Sequence, residues 1–183
     1  MKKTIFSVFS LVLLAGFIAF STACNLDKFT EFYLGPYTTS VTIPGTSIAG
    51  QILDNLLSSP VPTNSESTFS GNSTGKDHIE KITLSEMTLT VTDPANGNFN
   101  FLKSITIYIA ADGLADKQIA TKANIADGLN VIDMDESGED IKDYLSAANF
   151  TLKTKAEFDG APSQDTKVNI TTKYFVDAKL LTK

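Results

Sequence analysis

FTLKTKAEF (150–158) and TKVNITTKYFVDAKLL (166–181) each alternate with a period of two. In the first, Phe150, Leu152, Thr154, Ala156 and Phe158 form one row, and Thr151, Lys153, Lys155 and Glu157 form the other. In the second, Val168, Ile170, Thr172, Tyr174, Val176, Ala178 and Leu180 lie opposite a row that includes Lys167, Lys173 and Lys179. Successive side chains on a strand point to opposite faces, so each stretch reads as a strand with one face in a core and one in water. Both inner rows carry even numbers. A register that pairs Ala156 with Val168 keeps them on one face, which predicts an antiparallel hairpin.

Other segments repeat the pattern. Tyr37, Thr39, Val41 and Ile43 alternate with Thr38, Ser40 and Thr42 until Pro44 and Gly45 end the run. Ile82 and Leu84 have one parity and Met87, Leu89 and Val91 the other, so an inserted residue near Ser85 and Glu86 predicts a β-bulge. Asp93, Pro94, Asn96 and Gly97 predict a turn, Ile105, Ile107 and Ile109 the next strand, and shorter strands follow around Ile119 and Val131. Ile48, Ile52, Leu53, Leu56 and Leu57 recur at helical spacing and predict a short amphipathic helix. Residues 58–77 are rich in Ser, Thr, Asn, Gly and Pro and predict a long mobile loop. About seven short strands with one or two short helices predict a mainly β chain. The expected fold is a single antiparallel β-sandwich, immunoglobulin-like or jelly-roll-like, with a closed β-barrel as the alternative.

The N-terminus carries a different message. Lys2 and Lys3 precede an apolar run from Ile5 to Phe20, which ends in the small residues Ser21, Thr22 and Ala23 directly before Cys24. A positive start, a short apolar centre and small exit residues are what a secretory signal peptide requires, and the run is short for a membrane span of about 20 residues. Cys24 is the chain's sole cysteine, so no internal disulfide can form. Over residues 1–24 the sequence resembles the lipobox of bacterial lipoproteins. The resemblance implies cleavage before Cys24, lipid on that cysteine and a membrane tether. Ordinary signal-peptide cleavage at the same small residues would instead leave Cys24 as a free thiol. Asn25 after the cysteine resembles the sorting signal for the outer membrane in some Gram-negative bacteria. The segment FLKSITIYIAADGLADKQIA (101–120) is similar to stretches of small sandwich-type bacterial lipoproteins that carry no assigned activity. The expected organisation is a signal peptide over 1–23, a lipidated tether over 24–36 and one β-domain over 37–183.

Charge narrows the partners. Subtracting Lys2 and Lys3 from 15 basic residues leaves 13 in the mature chain against 21 acidic ones, a net of −8 with no arginine at all. Without the planar forks that grip phosphate and guanine, an acidic chain is a poor nucleic-acid binder. Membrane contact is therefore expected through lipid rather than charge.

One acidic run could hold a cation. Read as D-x-D-x-S-G, Asp133 and Asp135 supply hard oxygens, Ser137 another, Gly138 a turn and Glu139 a backbone carbonyl, as in calcium loops. The ninth position is Ile141 and the twelfth Tyr144, which removes two ligands from that pattern. The same residues form a capping box, Ser137 with Asp140, that opens a helix through Ile141, Tyr144 and Leu145, and this is the reading we favour. His78, the single histidine, reads as a polar residue at a strand entrance. Lys153, Lys155, Lys167, Lys173 and Lys179, with Phe175 among them, could form a basic face for an acidic partner, or could keep a sheet surface from pairing edge to edge. There is no nucleophile elbow, phosphate-cradling glycine loop or histidine cluster. These features favour a membrane-anchored, non-enzymatic binding or structural module that contacts a protein, glycan or lipid. The alternatives are an envelope glycan hydrolase using paired carboxylates and a lipid carrier with an apolar cavity.

Overall fold

A computed structural model describes residues 29–180. In chain order the elements are β1 (Phe29–Ile43), β2 (Ile52–Leu57), β3 (Val61–Pro62), α1 (Ser65–Gly71), a 3-10 turn (Lys76–His78), β4 (Ile79–Asp93), β5 (Leu102–Ala110), β6 (Lys117–Ala123), β7 (Val131–Asp133), β8 (Asp135–Glu136), α2 (Lys142–Leu145), β9 (Asn149–Phe158) and β10 (Thr166–Lys179). Two antiparallel sheets result. The first runs β1-β10-β4-β7; the second runs β2-β9-β5-β6-β8, with β3 attached to β9. The fold is a β-sandwich and not a closed barrel.

The inner rows of β9 and β10 fall where the alternation puts them. Phe150, Leu152, Thr154, Ala156 and Phe158 are buried on β9, and Val168, Ile170, Thr172, Tyr174, Val176 and Ala178 on β10. The two strands, however, do not pair. Val168 stands beside Val41 and Val91 in the first sheet, and Ala156 beside Leu53 and Ile105 in the second. The link 159–165 crosses from one sheet to the other, so the expected hairpin is a corner of the sandwich. Two apolar rows can be buried side by side or face to face, and a period of two is the same in both arrangements.

Bulges explain why other parities change. Glu86 pairs with Lys173 but Leu84 with Tyr174, so Ser85 is the extra residue that sends Ile82, Leu84, Met87, Leu89 and Val91 all inward, as the sequence predicts. In β1 the shift falls between Leu34 and Tyr37, at Gly35–Pro36, so Phe32 and Leu34 are buried on even numbers and Val41 and Ile43 on odd ones. Gly35 has φ +97°, and an added Cβ would lie 2.9 Å from the Thr172 carbonyl oxygen. Because the parity breaks there, residues 29–36 read as a tether in the sequence; in the structure they are strand, paired with β10 from Phe29 onward.

The expected helix around Ile52–Leu57 is strand β2 instead. Its register shifts between Asp54 and Leu56, so Leu53 and Leu56 both pack on the core although they are three positions apart. A bulged strand thus imitates the i, i+3 spacing of a helix. Ile48 and Ile52, counted on the same apolar face, are 64% and 51% exposed.

Residues 58–77 also depart from expectation, since they contain β3, α1 and the 3-10 turn rather than a structureless loop. Phe69 on α1 is 1% exposed and meets Phe32 edge-on, with ring centroids 6.1 Å apart. The hydroxyls of this segment bond the sandwich backbone: Thr63 Oγ1 donates to the Ala147 carbonyl at 2.7 Å, and Thr74 Oγ1 to that of Lys179 at 2.6 Å. Ser58 Oγ accepts the Leu152 amide at 2.9 Å. Composition alone assigns such a stretch to solvent, but each of these hydroxyls satisfies or finds a backbone group that burial would otherwise orphan.

Candidate functional site

The acidic run lies where the chain changes sheets. β7 pairs with β4 in the first sheet and β8 with β6 in the second, and Met134 between them is buried. Asp133 Oδ1 accepts the Thr88 hydroxyl at 3.1 Å, while Asp135 Oδ1 lies 2.9 Å from Lys122 Nζ. Glu139 Oε2 is 3.6 Å from Lys117 Nζ, and Ser137 Oγ accepts the Glu139 amide at 3.3 Å. The side chains of Asp133, Asp135 and Glu139 thus each turn to a separate partner, while Ser137 bonds the Glu139 amide. Among the described residues, no group of three or more His, Cys, Asp or Glu gathers as a metal site would need.

The helix forms, but Ser137 does not cap it. Asp140 Oδ1 accepts the Lys142 amide at the start of α2 and the Ile82 amide on β4, both at 3.1 Å. One carboxylate therefore takes the first amide of the helix and fastens its start to the first sheet, a role that the Ser-x-x-acid spacing gave to the wrong member. Cys24 and the exit residues before it lie outside the described residues.

His78 closes the 3-10 turn at the entrance to β4, half-buried. The lysine rows of β9 and β10 do not share a face, because their strands belong to different sheets. Four of the five are neutralised in place: Lys153 by Asp116 at 2.7 Å, Lys155 by Asp54 at 3.5 Å, Lys173 by Glu86 at 3.1 Å and Lys179 by Glu80 at 3.0 Å. Lys173 Nζ also sits 4.3 Å from the Tyr33 ring centroid, and Tyr33 meets Phe175 edge-on. These contacts cover the aromatic that the sequence places among the lysines.

One buried polar atom stands out in the core. The Tyr174 hydroxyl has no hydrogen-bond partner among the described residues. Burial pushes its ionisation far above the ordinary phenol value.

Four surface clefts differ in chemistry. One, between α1 and the segment after α2, includes Glu66 and Lys76. Its neighbour brings Asp77, Asp112 and Asp143 together with Lys76 and Lys142. A third, on the outer face of the second sheet, holds Asp54 and Asp116 with Lys153 and Lys155. The fourth lies at one end of the sandwich, between the β4–β5 turn and the β9–β10 link, and carries Asn96, Asn98 and Asn100 without a charged residue. That cleft is not announced by the sequence. Its signal was the alternating asparagines of NGNFN (96–100), which turn composition alone also explains.

No family model matches the chain, and no curated protein matches it. Among solved structures, a chain of desmodium yellow mottle tymovirus is similar at 12% identity, covering 85% of this chain and 91% of that one, with a TM-score of 0.29. A likeness at that score carries no argument about function. No helix among the described residues is long and apolar enough to cross a membrane.

Proposed function

We propose that the chain is a cell-envelope lipoprotein, anchored through Cys24 at the outer membrane, whose β-sandwich acts as a non-enzymatic binding or structural module. The anchor rests on Cys24, the sole cysteine, standing directly after Ser21, Thr22 and Ala23 at the end of an apolar run. Two or more acyl chains on that residue give stable attachment, at about 0.8 kcal/mol per buried methylene. Binding without catalysis is supported by the fate of the carboxylates. Glu157 is held below the usual carboxylate range by the hydrogen bond and charge of Lys103, and the pairs on Lys117, Lys122, Lys153, Lys155 and Lys173 occupy five further acids. For Glu157 this is the opposite of what a general acid for glycoside hydrolysis needs, an environment that raises its pKa.

The hydrolase reading has one specific foothold, the cleft shared by Asp77, Asp112 and Asp143. Mass spectrometry of the mature N-terminus tests the anchor: a diacylglycerol-modified Cys24 is expected, and an unmodified thiol would overturn it. Loss of membrane retention in Cys24→Ala is the matching result in cells.

A further inference from the structure

The end cleft is set apart by what lines it. Each of the other three clefts carries at least one lysine and one carboxylate, whereas this one is built from amides, hydroxyls, glycine, alanine and the apolar surfaces of Pro94, Phe101 and Pro162. Its volume is about 280 Å³, near the lower end of small-ligand pockets.

Its polar groups are only half used. Asn98 Oδ1 accepts the Asn100 amide at 3.2 Å, and Asn100 Oδ1 accepts the Gly128 amide at 2.6 Å. Backbone N–H donors fix both side-chain oxygens, so the NH₂ groups of Asn98 and Asn100 are left as donors with no acceptor among the described residues. Asn96, at the tip of the turn, is exposed and makes no hydrogen bond within the described residues.

Both lips are held before any ligand arrives. The Gly97 amide donates to the Pro94 carbonyl at 2.8 Å, and a Cβ at Gly97 would lie 2.6 Å from Val91 Cγ1, so the turn packs tightly on its own strand. The opposite lip is fixed by the Gly45 amide, which donates to Asp165 Oδ1 at 2.8 Å, and a Cβ at Gly45 would lie 2.6 Å from the Gln164 carbonyl carbon. Beneath them Phe101 stacks on Phe158, with centroids 6.0 Å apart. Rigid donors lose little freedom on binding.

Thr166, which lines the cleft, begins β10, whose outward residues Lys167, Asn169 and Thr171 lead from it along the outer face of the first sheet. There the register aligns Ser40, Asn169 and Thr90 in one row and Thr38, Thr171 and Thr88 in the next, with Thr38 and Thr171 hydroxyls 3.2 Å apart. Such rows repeat about every 7 Å along the strands. Lys167, between Thr42 and Asp93 in the register, separates the cleft from these rows, and Thr88 at the far end of the second row already donates to Asp133.

We infer that the end cleft and the adjoining hydroxyl rows bind an uncharged glycan chain. A neutral sugar presents hydroxyls that both donate and accept, beside C–H faces that pack on apolar surface; amide donors, exposed serine and threonine hydroxyls and the half-buried Pro94 match both. Seating it here strips water from no ion pair, whereas the charged clefts would pay that cost. A polyanion would need cations that this cleft lacks. The inference rests on the binding-module reading and adds the ligand class to it.

Full-chain protein in detergent would be run by affinity electrophoresis through gels containing a soluble β-glucan, a mannan or a galactan, with polygalacturonate as the acidic control. Retardation by at least one neutral polymer and none by polygalacturonate is expected. The double variant Asn96→Ala/Ser163→Ala, at two exposed residues on opposite lips of the cleft, should weaken it by about tenfold at unchanged melting temperature. Asn169→Glu, on the adjoining rows, should weaken it independently, and Glu66→Ala in the charged cleft should not. No retardation by any neutral polymer, retardation that ignores the cleft and row variants, or retardation by polygalacturonate alone would each overturn the inference while leaving the Cys24 anchor to its own test. Shortening of the retained polymer would instead sink the non-enzymatic reading.

Discussion

Phe69→Ala is the sharpest test of how residues 58–77 behave. If that polar stretch were a structureless loop, truncating its one phenylalanine would cost almost nothing. In the structure the ring is 1% exposed and packs edge-on against Phe32 of β1, so its removal empties a site bounded by two elements. Phe→Ala substitutions in cores cost about 3–5 kcal/mol, and the spread reflects how far the surroundings collapse. α1 is a seven-residue helix at the surface, and short elements shift readily, so a loss of about 3 kcal/mol is expected, at the low end of that range. For a domain of this size each kcal/mol moves the melting temperature by about 2–4 °C, which gives a fall of about 6–12 °C. Thermal denaturation followed by circular dichroism, with urea titration to confirm an unchanged slope, measures it. A loss below about 0.5 kcal/mol, the range of neutral surface changes, would refute the docking of α1.

Three further outcomes follow from the same contacts. Asp140→Ala should destabilise by about 1–3 kcal/mol in urea titration, since two backbone donors lose a charged acceptor, while Ser137→Ala should stay within about 0.5 kcal/mol. Calcium should leave the melting temperature unchanged, because Asp133, Asp135 and Glu139 point to separate partners; a clear rise, abolished by Asp133→Ala with Asp135→Ala, would make the run a cation site. Tyr174→Phe removes an unsatisfied buried hydroxyl and should stabilise by about 1 kcal/mol. Its sign with pH is fixed. The folded phenol ionises only far above its ordinary value of 10.0, so its share of stability is intact below that pH and is lost as pH rises beyond it. Melts above pH 10 should therefore favour the Phe variant by a further ~1.4 kcal/mol per pH unit.

What the sequence made legible was local. Ser85 announced its bulge because apolar parity changed once, within a long strand, with clear runs on both sides. The same device at Gly35–Pro36 went unread because only Phe32 and Leu34 preceded it, too short a run to declare a parity before the break. At Leu53 and Leu56 the bulge made a strand look helical. All three are one physical event, an extra residue that turns the following side chains over, and its visibility depends on how many alternations flank it. Pairing is a different kind of information. Nothing in Ala156 or Val168 says whether the other lies beside it or across the core, since both arrangements bury the same row.

The site was less legible for a related reason. Asp133, Asp135, Ser137 and Glu139 are close in sequence, and closeness in sequence made them look like one constellation, yet the chain changes sheets at Met134 and hands Asp133 to Thr88 and Asp135 to Lys122. The end cleft is the converse case. Its two lips, the turn at 94–101 and the link at 159–165, are far apart in the chain and meet only because β9 and β10 lie in opposite sheets. In a hairpin that link would have been a loop beyond the strand ends, with no reason to approach the β4–β5 turn. The pairing error and the missed cleft therefore have one cause, and a site assembled by a sheet-to-sheet crossing becomes readable only once the crossing itself is known.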